Sequence, residues 1–139
     1  MKQFKLSTLL VCLFLGFSSC SSVSSLNPLD LLTGNNWILS SLTGGGLDMF
    51  KGALPSLGFS DGGKLNGFSG CNNFSGDFEL SGTGIDLDPG AITKKACEGD
   101  GESKFLGALK DVSNFKIAKD KLTLMDGASE LMTLIPQGK

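Results

Sequence analysis

The 139-residue chain has no histidine, no arginine and no tyrosine, and all 12 of its basic residues are lysine. Without His there is no Ser-His-Asp triad, no Cys-His dyad and no zinc site of the mixed His/Cys kind. Without Arg there is no bidentate fork for phosphates or base edges. With 14 acidic residues and a net charge of -2 the chain also lacks the basic footprint of a nucleic-acid binder. Proline is scarce, at 4 residues. No apolar run reaches the roughly 20 residues that cross a bilayer as a helix. Asp61-Gly62-Gly63-Lys64 and Gly44-Gly45-Gly46 match neither glycine-rich phosphate-binding pattern and read as turns. No cofactor and no metal site is expected. What the chain does have is glycine, 20 residues, about twice the usual share, which favours turns and bulges over long helices. The length fits one domain.

The first residues read as an address. Met1 to Lys5 carries two lysines, Leu6 to Phe17 is mostly apolar, and small residues follow at once. Basic start, short apolar centre and small-residue exit make the layout of a secretory leader. Phe17-Ser18-Ser19-Cys20 further resembles a bacterial lipobox, in which the Cys becomes the lipid-modified N-terminus; Phe17 departs from the usual Leu. Cys12, inside the apolar run, lacks small residues before it. Residues 1–19 are therefore expected to be a lipoprotein signal peptide, Cys20 the lipidation site, and 20–34 a flexible tether led by Ser21-Ser22-Val23-Ser24-Ser25. Several acyl chains, each buried CH₂ contributing about 0.8 kcal/mol, would hold such a protein on a membrane with its domain in water. Ser21 after the Cys favours the outer membrane over the inner, by resemblance to the sorting rules of diderm bacteria.

Of four cysteines, Cys12 and Cys20 belong to this leader region, which leaves Cys71 and Cys97 in the domain. An exported compartment permits a bridge between them. Closing a loop of about 25 residues contributes about 3 kcal/mol in the chain-entropy model. A buried reduced pair is the alternative. A reactive thiol is a third reading, although no His or CxxC is present to lower a thiol pKa.

Along 35–139 the pattern alternates in short stretches. Strands are expected at Trp37 to Leu42, Leu54 to Phe59 (an edge or irregular lead-in, because of Pro55), Lys64 to Gly70 with a bulge at Gly67, Asn72 to Leu80, and from Ile85 until Pro89 stops the alternation. Three more follow at Phe115 to Ala118, Lys121 to Met125 and Leu131 to Ile135. Asn27-Pro28 discourages a helix in the tether. Phe105, Leu106, Leu109 and Val112 fall on one face of a helix that Asp100 could cap. Seven or eight short antiparallel strands and one covering helix make an α+β domain.

Candidate chemistry is sparse. Asp86-x-Asp88-x-Gly90 opens like a calcium loop but lacks its later ligands, and alternation with Ile85 and Leu87 explains both carboxylates as a wet strand face. Asp77 and Glu79, two apart on a strand, could imitate an acid/base pair, which keeps a small carboxylate-dependent hydrolase as one rival reading. Lys94-Lys95 reads as solvated, and Asn73-Phe74-Ser75 fits a glycosylation pattern of no use to a bacterial lipoprotein.

Two segments are more specific. Phe68-Ser69-Gly70-Cys71-Asn72-Asn73-Phe74-Ser75-Gly76 resembles the GCNxFxG signature of the META domain, the HslJ-like family of bacterial envelope proteins. Thr93-Lys94-Lys95-Ala96-Cys97 and the helix after it are similar to that family's T-x-x-A-C segment, with Lys95 where Met is usual. Trp37-Ile38-Leu39 and the run from Gly58 to Gly67 also fit in order and spacing. The resemblance implies an antiparallel half-barrel around a single helix. It implies structural roles for Trp37, Gly70, Cys71, Asn72, Phe74, Gly76, Thr93, Ala96 and Cys97, and no catalytic residue to carry over. It further implies an association with envelope stress and, in some members, with novobiocin resistance or secretion.

The expected function is a non-enzymatic, lipid-anchored envelope module. Its partners would be the membrane, through the lipid, and an apolar ligand or a protein in the envelope, the former held in the concave side of the half-barrel. A third reading makes it a structural component of an outer-membrane assembly, marked by an exposed apolar patch.

Overall fold

The computed structural model describes residues 27–138. The expected signal peptide over 1–19, with Cys12, and the expected lipidation site Cys20 lie outside the described residues.

Asn27 and Pro28 start a helix where they were expected to prevent one. The Asn27 side chain accepts from the Leu29 N–H at 3.1 Å, and Pro28 occupies the first turn of α1 (Pro28–Thr33). In that position the missing N–H of proline has no helical partner to lose and its fixed φ suits the helix. Leu32 is fully buried, and the Trp37 indole N–H donates to the Leu32 carbonyl at 3.0 Å. The tether reading is thus corrected over 28–33: a linker would not carry core side chains.

Eight strands follow: β1 (Asn36–Leu42), β2 (Ser56–Ser60), β3 (Lys64–Phe68), β4 (Asn73–Ser81), β5 (Gly84–Ile92), β6 (Asn114–Ala118), β7 (Lys121–Asp126) and β8 (Ser129–Pro136). A short 3-10 turn, Leu47–Met49, interrupts the β1–β2 connection, and α2 (Gly101–Asp111) lies between β5 and β6. All pairings are antiparallel, each strand beside the next, and β8 returns to β1 with Ile38 opposite Ile135 and Leu42 opposite Met132. The α+β half-barrel with one main helix is therefore the fold found, with the ring completed by β8. Its weak seam is β5–β6, whose register holds only at Gly84 and Asn114. Beyond that point α2 packs against β5.

Alternation sorts the side chains as the pleat requires. Phe74 and Phe78 of β4 and Ile85 and Leu87 of β5 point inward, while Asp77, Glu79, Asp86 and Asp88 face solvent. Trp37, Leu39, Leu65, Leu122, Leu124 and Leu134 fill the interior, with Phe59 meeting Phe78 edge-on at 5.1 Å. From α2, Phe105 and Leu109, one turn apart and fully buried, join this core.

Three local expectations are corrected. β2 is not an edge: Pro55 precedes it, and it pairs with both β1 and β3. Gly67 is not a bulge, since it sits in unbroken register between Leu57 and Phe74, under the Phe74 ring. Bulges lie instead on β5, where Ala91 is the extra residue between the pairs Ser75–Gly90 and Phe74–Ile92, on β1 at Ser40 and on β8 at Leu131. And β5 runs through Pro89, which is tolerated because β6 has already left that side of the strand.

Strand direction gives the ring two ends. α1 packs against β2 and β6, on opposite sides of the ring, and so closes the end where β1 begins. The other end carries the β1–β2 connection, the β3–β4 turn at 69–72 and the β5–α2 connection at 93–100.

Candidate functional site

Those three connections meet in one side-chain network. Asn72, buried in the β3–β4 turn, donates from Nδ2 to both Glu102 carboxylate oxygens at 3.0 Å and to the Lys95 carbonyl at 3.0 Å. Its Oδ1 accepts from the Lys95 N–H at 2.7 Å and the Thr93 hydroxyl at 3.0 Å. Its backbone N–H lies 3.0 Å from Glu102 Oε2 and 2.9 Å from Ser69 Oγ. Ser69, fully buried, has one hydroxyl proton to give between Glu102 Oε2 and the Asn72 carbonyl. Glu102 occupies the first turn of α2, where the helix dipole favours a carboxylate.

Beside this network Cys71 and Cys97 form a bridge with Cα atoms 6.0 Å apart, an ordinary spacing for a disulfide. Gly70 has φ 91, a conformation glycine adopts freely, and the Phe50 ring covers the place a Cβ would occupy. A cavity of about 430 Å³ opens here, lined by Phe50, Gly70, both cysteines, Gly101 and Glu102 among others. A shallower depression on the far side of Lys95 and Glu102 is lined by Asn72, Thr93, Lys94, Ala96 and Leu106.

Of the signature residues, the structure gathers Gly70, Cys71, Asn72, Thr93, Ala96 and Cys97 at this end. Phe74 sits beneath them, its ring 6.5 Å from that of Phe105. Gly76 lies in β4 where a Cβ would run into the Asp88 carbonyl and the Gly90 backbone nitrogen of β5. Trp37 is apart, at the α1 end. Lys95, where the family usually has Met, is exposed, in keeping with the solvated reading of Lys94-Lys95, and holds Asn72 with its backbone alone. Ser69, Phe50 and Glu102 were not singled out by the sequence reading. The one signal for Glu102 was an acid in the first turn of the helix.

The carboxylates weighed for hydrolysis lie elsewhere. Asp77 faces Asp88, and Glu79 faces Asp86, on the outer surface of β4 and β5. Asp77 is 61% exposed in its side chain and pairs with Lys64 at 2.6 Å. That is a solvated acidic face, with neither carboxyl desolvated for acid work. At the head of α2, Asp100 leaves its capping role unused and pairs with Lys104 at 3.0 Å. That hydrogen bond first, and the lysine charge second, lower the Asp100 pKa. Among the described residues no group of three or more His, Cys, Asp or Glu could hold a metal, and no helix is long and apolar enough to cross a membrane.

Comparison with solved structures returns the same fold. The chain is similar to a protein solved by NMR (22% identity over 80% of this chain and 96% of the other, TM-score 0.63). A DUF4847 family protein from Bacteroides vulgatus, known from a crystal structure, is similar at 11% identity over 81% and 99%, with TM-score 0.62. An NMR structure of a protein from Burkholderia xenovorans matches at 25% identity over 80% and 87%, with TM-score 0.58. No functionally curated protein matches. The META domain family model matches residues 30–139, taking in α1 from Asp30 onward, all eight strands and the network around Asn72, and the chain belongs to the META domain family.

Proposed function

We propose that the protein is a lipid-anchored cell-envelope lipoprotein whose META domain serves as a non-catalytic binding or envelope-stress accessory module. The observation that carries this reading is Cys20, placed after a basic and apolar leader and small residues, and before a serine-rich arm. The Cys71–Cys97 bridge supports an oxidising compartment. The non-catalytic part is supported by Ser69, buried with its hydroxyl already engaged, and by the solvated state of Asp77.

The interior of the ring is occupied by the protein's own Trp, Leu and Phe side chains. A ligand would therefore meet the cavity at the disulfide end, not an open concave face. That cavity mixes Met49, Phe50 and Phe68 with Lys51, Lys95 and Glu102, which suits a peptide or another amphipathic group better than a bare acyl chain. The bracing alternative has less support: among the described residues, the large apolar side chain left in solvent is Ile135, at 45% exposure.

Intact-mass analysis of material from the native host tests the anchor. The expected species begins at Cys20 and carries a diacylglyceryl group, and it fractionates with the outer membrane. A Cys20→Ser variant is expected to lose the lipid. An untrimmed, unlipidated chain would overturn the reading.

A further inference from the structure

The same two segments are joined twice, once by the disulfide and once by Asn72, and the two links end at different points. Asn72 holds the β5–α2 connection as far as Lys95, through the backbone N–H and carbonyl of that residue. From Asp100 the chain is held again, its carbonyl accepting from Lys104 as α2 begins. Between these points, residues 96–100 are all exposed and belong to no helix or strand. Only the sulfur–sulfur bond at Cys97 ties this stretch to the turn, and Cys97, Glu98 and Gly99 form one wall of the 430 Å³ cavity.

We propose that the Cys71–Cys97 bond is a redox latch on that wall, which a dithiol reductant opens while the barrel stays folded. This goes beyond the envelope reading and does not depend on it. Exposed disulfides are the labile ones, because exchange needs a thiolate to reach sulfur. Cys97 is exposed and Cys71 half-buried, so the incoming thiolate attacks Cys97 Sγ. The Cys71 sulfur leaves as thiolate, takes up a proton and, as a thiol, has the Lys95 carbonyl 3.3 Å away to donate to. The second thiolate of the reductant then attacks its own sulfur in the mixed disulfide and releases Cys97. Two electrons and two protons pass to the protein, and the dithiol leaves as a disulfide. Asn72 keeps its hydrogen bonds to Ser69 and Glu102 throughout, while 96–99 is released and the cavity opens.

The full chain, treated with glutathione under native conditions and alkylated, is expected to carry glutathione on Cys97 and the alkyl group on Cys71, with Cys12 and Cys20 resolved as separate peptides. Dithiothreitol is expected to drop the backbone order parameters of Glu98 and Gly99 below about 0.6, into the flexible range. The amides of Asn72, Lys95 and the strands should keep their shifts. A Cys71→Ser, Cys97→Ser double variant is expected to fold and to reproduce the reduced state. Any of four results would overturn the latch: a bond that resists dithiothreitol until urea is added, glutathione on Cys71 instead, an unchanged loop after reduction, or a double variant that does not fold.

Discussion

Asn72 and Glu102 lie thirty positions apart and share three hydrogen bonds, two from the side-chain amide of Asn72 and one from its backbone N–H, each at 3.0 Å. The contact fastens the β3–β4 turn to the first turn of α2, and through Lys95 and Thr93 it fastens the connection between them. Asn72→Ala would strip the half-buried Glu102 carboxylate of its two amide bonds, leaving it the backbone N–H and the Ser69 hydroxyl, and would leave the Lys95 backbone N–H and carbonyl without the amide that holds them. Each such loss costs about 1–3 kcal/mol, so a total near 3 kcal/mol is expected. Urea unfolding of the oxidised protein checks this: the midpoint should fall with an unchanged m-value. A loss under about 0.5 kcal/mol would place Asn72 among neutral surface positions.

A second expectation concerns Leu32 and Trp37. If α1 is part of the core, Leu32→Ala should cost about 2–5 kcal/mol, as buried leucines do. Trp37→Phe removes volume and the indole donor to the Leu32 carbonyl, and about 2 kcal/mol is expected for the pair of effects. Thermal unfolding of both variants measures it. A tether would tolerate Leu32→Ala without change.

The helix at 101–111 was legible because Phe105 and Leu109 stand one turn apart, and the strands because β4 and β5 alternate apolar and acidic residues. The cysteine pair followed from parity once Cys12 and Cys20 were set aside with the expected leader. What failed to show was of two kinds. One was local chemistry with two meanings: Pro28 breaks a helix interior but starts a helix well, and Gly67 marks either a bulge or a place where an aromatic ring lies over the backbone. The other was non-local. The return of β8 to β1 and the meeting of Glu102 with Asn72 depend on the three-dimensional path of the chain, which no window of periodicity contains. The signature string held Asn72 and Ser69 in sequence order, yet their acceptor sat at the head of a helix of which only the buried face and the Asp100 cap had drawn notice.

Asp100 offers a pH-linked test. Its pKa is lowered by Lys104, so the interaction stabilises the fold above the ordinary aspartate range and is lost as pH falls through the lowered value. Both groups are solvent-exposed, which keeps the effect on stability small. The sharper readout is the carboxyl titration followed by NMR: Lys104→Gln should move the Asp100 midpoint upward. No movement would show that the pair does not persist in solution.

Gly76 and Gly107 should respond to alanine with opposite signs. At Gly76 a Cβ meets the backbone of Asp88 and Gly90 in the paired strand, atoms that cannot turn aside as a side chain could. Gly76→Ala therefore has to push β4 from β5, at a cost of about 2 kcal/mol or more. At Gly107, on the exposed side of α2, nothing lies within 4 Å of the added methyl. Alanine there lowers the entropy of the unfolded chain and favours helix, so a gain of about 0.5–1 kcal/mol is expected. Measured side by side in urea, the two variants separate close backbone packing from mere turn preference. Equal and small effects would mean that β4 and β5 are not pressed together at this position.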